Sequence, residues 1–458
     1  MNQAEKNRVA DDLKKEDAVR MEQTPVLQPK HLHLRKWAWA PAAAVLLAGV
    51  LVLIPIVKPT TVQARENLME GVSAQKQEVP QAPGADFISA QADFAVKLLR
   101  KTTAKGKNTL ISPTSVALAL GMTENGAKGN TLSQFEALLG GRMNLDALNK
   151  AFASERAVLK STAGGKFLLA NSIWYRDKNM TVKRQFLQAN ADFFGAGAFQ
   201  LDFSGPATPE KINSWVSQNT DGKIDKMVEK IGPSDMMYLI NTLYLEQDWK
   251  IPYDGSTDSV FHAPGGDQTV KMMDSSETYL HAENAQGILK PLKDVRFAFV
   301  AILPDEKPLA EYPNSGALLD DYVAGFTCDK LLNLLRSAGN DHTSAFLPKF
   351  KFACDLTLND ALISLGLSDA FDGSKADFSA MGSTSSDGNL YIKDVLHKTF
   401  IEVDELGIKA GAATKATIAV SSAPVKPLVF DRPFLIAVVD TQTMLPVFLG
   451  TVSDPSGG

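Results

Sequence analysis

The sequence predicts one mixed α+β domain over residues 86–455, preceded by a segment of different character. Three observations carry this. The chain has 458 residues, 45% of them hydrophobic and 22% charged, enough to bury one large core and unlike a disordered or fibrous chain. Helix-like and strand-like stretches mix from Asp86 to the C-terminus without a repeat of about 20 to 50 residues. The regular strand–helix alternation of a parallel sheet is also missing.

Residues 1–36 read as a cytoplasmic tail and residues 37–57 as a transmembrane helix or signal anchor. The latter are 21 uncharged, largely apolar residues, enough to cross a bilayer at about 1.5 Å rise per residue. Trp37 and Trp39 fall where an interfacial aromatic belt belongs, and Lys30, Arg35 and Lys36 precede the span. Lys58 and Arg65 follow it, so the charge bias is weak; the N-in orientation is preferred because the folded domain lies on the long C-terminal side. Val62-Gln63-Ala64 also satisfies the small-residue pattern of a signal-peptidase site, which leaves secretion after cleavage at Ala64 as a second reading. A 36-residue leading segment is long for a signal peptide and favours the anchor. On either reading the domain is expected outside the cytoplasm, periplasmic or extracellular. Residues 58–85, rich in Pro, Gln, Glu and Ala without an apolar period, read as a flexible linker.

The domain opens with Phe87, Ala90, Phe94, Ala95 and Leu98 at helical spacing, which predicts an amphipathic helix. Ser112-Pro113 reads as an N-cap followed by proline at the first helical position, opening a helix through Val116, Ala117 and Leu120. Near the C-terminus, the apolar runs 434–439 and 444–449 predict strands.

Between these lies the most informative stretch, residues 403–423, V-D-E-L-G-I-K-A-G-A-A-T-K-A-T-I-A-V-S-S-A. Side chains alternate faces along a strand, so Ile408, Ala410, Ala412, Thr414, Ala416, Ile418 and Val420 share one face without charge or ring. Lys409 and Lys415 fall on the other, with Gly411, Ala413, Thr417, Ala419 and Ser421. Gly407, Gly411 and the alanines are poor at nucleating a strand alone. The stretch therefore suits a loop that becomes a central strand, about 43 Å long from Ile408 to Val420 at roughly 3.3 Å per residue.

Several function classes find no support. A net charge of −5 with no dense Lys/Arg cluster argues against nucleic acid. There is no G-x-S-x-G elbow, no H-E-x-x-H, no phosphate-binding G-x-x-x-x-G-K and no paired-cysteine metal spacing, so an enzyme is not expected. Of six histidines, His31 and His33 fall in the tail. No cofactor is implied; Arg142, Lys150, Arg156 and Lys160 lie among acids and make a weak basic face for a glycosaminoglycan-type activator. Cys328 and Cys354 could pair, but two cysteines define no framework, and buried free thiols are the preferred reading.

The 403–423 stretch resembles the reactive-centre loop of the serpins, serine protease inhibitors whose cleaved loop enters their own sheet. The hinge A-G-A-A-T after E-L-G and the closing D-R-P-F-L-I-A-V-V-D at 431–440 carry the likeness. It extends collinearly through N-T-L-I-S-P-T-S-V-A-L-A-L at 108–120, G-A-K-G-N-T at 126–131 and A-N-S-I-W-Y at 170–175. I-N-S-W-V-S-Q-N-T-D-G-K-I at 212–224, L-I-N-T-L-Y-L-E-Q-D-W at 239–249 and F-L-P-K-F-K-F at 346–352 continue it, before V-L-H-K-T-F-I-E-V-D-E-L-G at 395–407 and the P-V-F-L-G-T-V-S-D-P ending. The resemblance implies a large mixed central sheet with additional sheets, about eight or nine helices and an exposed loop near residues 405–430.

It also implies roles. A serine protease would cleave the loop, become acyl-linked to it and be trapped as the loop inserts, so the expected partner is the target protease and the protein acts as a monomer. The alternative within the family is a non-inhibitory serpin serving as a binding or scaffold protein. The hinge would comprise Glu405, Gly407, Ile408, Ala410, Gly411, Ala412, Ala413 and Thr414. Ile408 and Lys409 depart from the Thr or Ser and the Glu that inhibitory members usually carry; Ile is uncharged and β-favouring, and Lys409 points outward. Ser112, Asn241 and His397 match the buried cluster controlling sheet opening, the shutter. Trp249, Lys349 and Glu405 match the breach, where insertion begins. Counting the hinge from Glu405 puts the reactive bond at Ser421-Ser422; counting back from Pro433-Phe434 suggests Ser422-Ala423, and the hinge count is preferred. Either leaves a small uncharged residue for the protease, which favours elastase-like or subtilisin-like enzymes over trypsin-like ones.

Overall fold

A computed structural model describes residues 66–160, 165–232, 235–306, 315–385, 389–408 and 427–456. The domain opens with helix α1 (Ala85–Thr102), strand β1 (Thr109–Ile111) and helices α2 (Pro113–Glu124), α3 (Gly129–Gly140) and α4 (Leu145–Lys160). Strands β2 (Lys166–Arg176) and β3 (Met180–Val182), helix α5 (Arg184–Ala189) with a π turn at Asn190–Phe194, strand β4 (Gly197–Leu201) and helix α6 (Thr208–Asn219) follow. Five strands come next, β5 (Met237–Asp248), β6 (Ser256–Ala263), β7 (Gly266–Ala282), β8 (Ala285–Pro291) and β9 (Phe297–Pro304), then α7 (Ser315–Ala324) and α8 (Cys328–Arg336). The last part holds β10 (His342–Pro348), β11 (Phe350–Thr357), α9 (Asn359–Ser364), β12 (Gly382–Thr384), β13 (Leu396–Val403), β14 (Gly407–Ile408), β15 (Leu428–Val429), β16 (Phe434–Asp440) and β17 (Pro446–Val452). The architecture is mixed α+β, as the sequence predicts.

Two sheets dominate. The larger runs β1-β17-β16-β9-β8-β7-β10-β15, with β6 paired to β7. Its strands β16 and β17 are buried throughout; the apolar run 434–439 lies in β16, and β17 begins within the run 444–449. The second sheet runs β11-β13-β14-β5-β2-β4. Helix α2 lies behind it, in contact with β5 and β17, and all twelve of its residues are buried. A helix buried on every side belongs in such a core. Ser112 caps it as the Ser-Pro pair predicts, its hydroxyl accepting from Ser115 N at 3.3 Å. Helix α1 buries Phe87, Phe94, Ala95 and Leu98, and Ala90 is half-buried. On the outer face of the second sheet α6 packs Ile212 and Val216 against Trp174, Tyr238 and Ile240.

Two expectations change. The segment 58–85, read as a linker, is laid onto the domain from Glu66 onward. Leu68 N donates to Ala198 O on β4 at 2.8 Å, Lys211 pairs with Glu66 at 2.5 Å, and Ser154 Oγ donates to Pro80 O at 2.8 Å. Leu68, Met69 and Val72 pack against the main core, so three spaced apolar side chains and long-range polar contacts hold a stretch with no period of its own. Cys328 and Cys354 are free but half-buried rather than buried. The predicted tail and span, residues 1–57, lie outside the described residues; no helix among those is long and apolar enough to cross a membrane.

Candidate functional site

The site is a seam in the second sheet. Among the described residues, β13 and β5 are joined through β14, whose two residues sit between them: Ile408 opposes both Val403 and Gln247, and Gly407 opposes Asp248. Asp404 makes the reversal that turns β13 into β14. Its carboxylate accepts from Leu406 N at 2.8 Å and from Gly407 N at 3.2 Å, a side-chain turn that aims the chain back into the sheet. At Gly407 a Cβ would stand 2.3 Å from Gln247 O, so only glycine lets the backbones approach this closely. Ile408 itself is buried.

Above the seam, Trp249, Lys349 and Glu405 converge on this turn. Trp249 Nε1 donates to Asp404 O and Trp249 N to Leu406 O, both at 2.8 Å, while Tyr253 N donates to Glu405 O at 2.9 Å. Lys349 Nζ lies 2.6 Å from Glu405 Oε2, and Ser256 Oγ donates to Glu405 Oε1 at 2.8 Å. Partial burial works against the Glu405 charge, but these partners hold its carboxyl below the usual range. Trp249, Lys349 and Glu405 are thus brought together. Sequence reasoning missed the layer beneath. Lys290 and Glu277 form a buried pair at 2.5 Å, and the Lys290 ammonium lies 4.0 Å from the Tyr253 ring centre and 5.4 Å from that of Trp249. A lone lysine inside the apolar run G-I-L-K-P-L was the available signal.

Lower in the seam, His397 of β13 is buried and its Nε2 accepts from Ser112 N at 3.0 Å. Ser112 Oγ donates to Val447 O at 2.8 Å, which ties the start of α2 to both sheets. Burial pushes the imidazole down to about 4, so His397 is neutral at physiological pH, an acceptor at Nε2 with its proton on Nδ1. Asn241 belongs to β5, opposite Asn171; its side chain falls outside the description. Also outside the described residues are Lys409, Ala410, Gly411, Ala412, Ala413, Thr414, Ser421 and Ser422; the chain resumes at β15, parallel to β10.

A two-residue strand held between β13 and β5 is a distinctive arrangement, and the chain was compared with known proteins. The family model described as "Serpin (serine protease inhibitor)" matches residues 89–455. This chain is a serpin. It is 29% identical over 384 residues to an uncharacterized serpin-like protein of Thermococcus kodakarensis, covering 81% of this chain and 86% of that one. With human alpha-1-antichymotrypsin it shares 30% over 386 residues, 80% of this chain and 88% of the relative. Among solved structures, the thermophilic serpin tengpin in its native state superposes with a TM-score of 0.78 at 39% identity, over 85% of this chain and 99% of that one. The same protein in its latent state gives 0.71 at 37% identity, over 82% and 99%. Serpins are typically protease inhibitors, and a protease is the partner the family implies.

Proposed function

We propose that this serpin is a suicide-substrate inhibitor of elastase-like or subtilisin-like serine proteases, cleaved at Ser421-Ser422 and trapping the enzyme by inserting its loop at the β13/β5 seam. The seated pair Gly407–Ile408 carries the reading. Continued in the same register, Ala410 would fall between Leu245 and Ile401, Ala412 between Leu243 and Thr399, and Thr414 between Asn241 and His397. These inner-face partners on β13 are buried, and the loop offers them small or apolar side chains with no charge. Strand β5 runs from Asp248 to Met237, which accommodates Gly407 through Ile418; a cut after Ser421 leaves three residues to reach the attached enzyme.

Chemically, the protease serine would attack the Ser421 carbonyl carbon, the Ser422 amine would leave with a proton, and the Ser421 acyl group would stay on the enzyme. Insertion competes with hydrolysis of that ester. Each inserted residue adds on the order of 1 kcal/mol of net hydrogen bonding, so ten further residues supply a large driving force. Mixing the serpin with pancreatic elastase tests this on a denaturing gel. A band of summed mass is expected; clean loop cleavage with the elastase still active would instead identify a substrate-like member. Trypsin should form little complex, because Ser421 offers nothing to a deep acidic pocket.

The apolar segment 37–57 supports an anchored form with the serpin domain outside the cytoplasm. Protease shaving of intact cells should then release the domain while leaving the tail inside.

A further inference from the structure

Next to Trp249 the large sheet forks. The ladder between β7 and β8 ends with Thr278 opposite Leu289, and one step further stand Glu277 and Lys290. There the strands part. Glu277 stays with Thr343 of β10, while β8 runs on until Leu292 bridges Trp249 and Pro291 O accepts from Lys250 N at 3.0 Å. The ion pair thus sits where the large sheet hands over to the end of β5.

Both charged side chains are buried, and Ser275 donates its hydroxyl to the same Glu277 oxygen that takes Lys290 Nζ. Burial works against the Lys290 charge and Glu277 supports it. Stability alone does not account for such a pair, because apolar side chains of similar volume often serve as well or better. What they cannot supply is a positive charge against ring faces.

The rings in question are those of Trp249 and Tyr253, set edge to face with centres 6.0 Å apart. Phe299, opposite Lys290 on β9, meets the Trp249 ring from another side at 5.7 Å. Trp249 and Tyr253 in turn donate three hydrogen bonds to consecutive carbonyls of the turn, those of Asp404, Glu405 and Leu406. Lys290 therefore reaches all three carbonyls through two aromatic residues without touching the turn itself.

We propose that Lys290, held by Glu277, is a positioning residue: its ammonium fixes Trp249 and Tyr253 against the Asp404–Leu406 turn and so sets how readily the β13/β5 seam opens. Its bearing on inhibition rests on the reading above, since the same seam is the one proposed to admit the loop. The hold on the turn is a property of the intact molecule.

The test follows amide hydrogen exchange by mass spectrometry in the full chain, in Lys290→Met and in the double variant Glu277→Leu/Lys290→Met, which leaves no charge unpaired. Peptides covering 248–254 and 403–408 should exchange about tenfold faster in both variants, the factor that a desolvated cation–π contact supplies. Peptides covering 434–452 should be unchanged in the double variant, which should unfold at no lower guanidinium concentration than the parent. Unchanged exchange around the turn in the double variant, or equal acceleration in 434–452, assigns the pair to general packing and overturns the proposal. The measurement needs no protease, so a failure to trap elastase would sink the inhibitory reading and leave this result as it stands.

Discussion

Ser112 N donates a 3.0 Å hydrogen bond to His397 Nε2, so the first turn of the core helix is fastened to the strand that borders the seam. Protonation of His397 abolishes that acceptor. Burial holds its folded value at about 4, below the ordinary 6.5, so the stability that goes with a neutral imidazole is complete above pH 6.5 and is lost as pH falls toward 4. Intact protein should lose about 3 kcal/mol over that window. Urea melts at pH 7 and 4.5 should show it in the parent, and much less of it in His397→Gln.

Glu124 moves the other way. The end of α2 is buried, neither carboxylate oxygen has a hydrogen-bond partner, and burial together with Glu136 pushes the group up to about 8. The folded state therefore holds a proton that the unfolded state has released, and stability declines as pH rises from 4.5 to 8. Glu124→Gln should be more stable than the parent at pH 8, by about 4 kcal/mol, and no more stable at pH 4.5. An equal gain at both pH values would assign the effect to packing instead.

At the mouth of the seam, Glu405 holds Lys349 and Ser256 together. Both members of the ion pair are partly solvated, so its loss should be modest. Glu405→Ala is expected to lower intact stability by about 1 kcal/mol and the melting temperature by about two degrees. The cleaved form should melt as the parent does if the pair guards only the uninserted sheet.

A charge on the inner face should disable the trap without touching the scissile bond. In register, Ala412 would enter between Leu243 and Thr399, where an unpaired carboxylate costs several kcal/mol. Ala412→Glu should be cleaved at the same bond by elastase, read by mass spectrometry, while covalent complex disappears from the gel.

What could be read from the sequence was what depends on neighbours along the chain. Ser112-Pro113 announces a helix start, and the parity of Lys409 and Lys415 announces which face of a future strand is dry. Features set by strand register stay hidden, such as the opposition of Ile408 to both Val403 and Gln247. Asp404 likewise looks like any acidic residue until its carboxylate is seen closing the turn at Gly407. The seam cluster itself was found through resemblance, since Ser112 and His397 are 285 positions apart and nothing local links them. Residues 66–84 misled for the opposite reason: with so few apolar side chains their local pattern is that of free chain, and it is distant partners such as Ala198, Lys211 and Ser154 that hold them.

That N-terminal strap has a consequence for how molecules avoid one another. Strand β4 is the outermost of its sheet, and Asn67 and Leu68 lie against it, bridging to Phe199 and bonding to Ala198. Unsatisfied main-chain groups along such a rim invite a neighbouring polypeptide to add on. A protein shortened to begin at Ala85 would bare them, and light scattering should find it self-associating at concentrations where the longer chain stays dispersed.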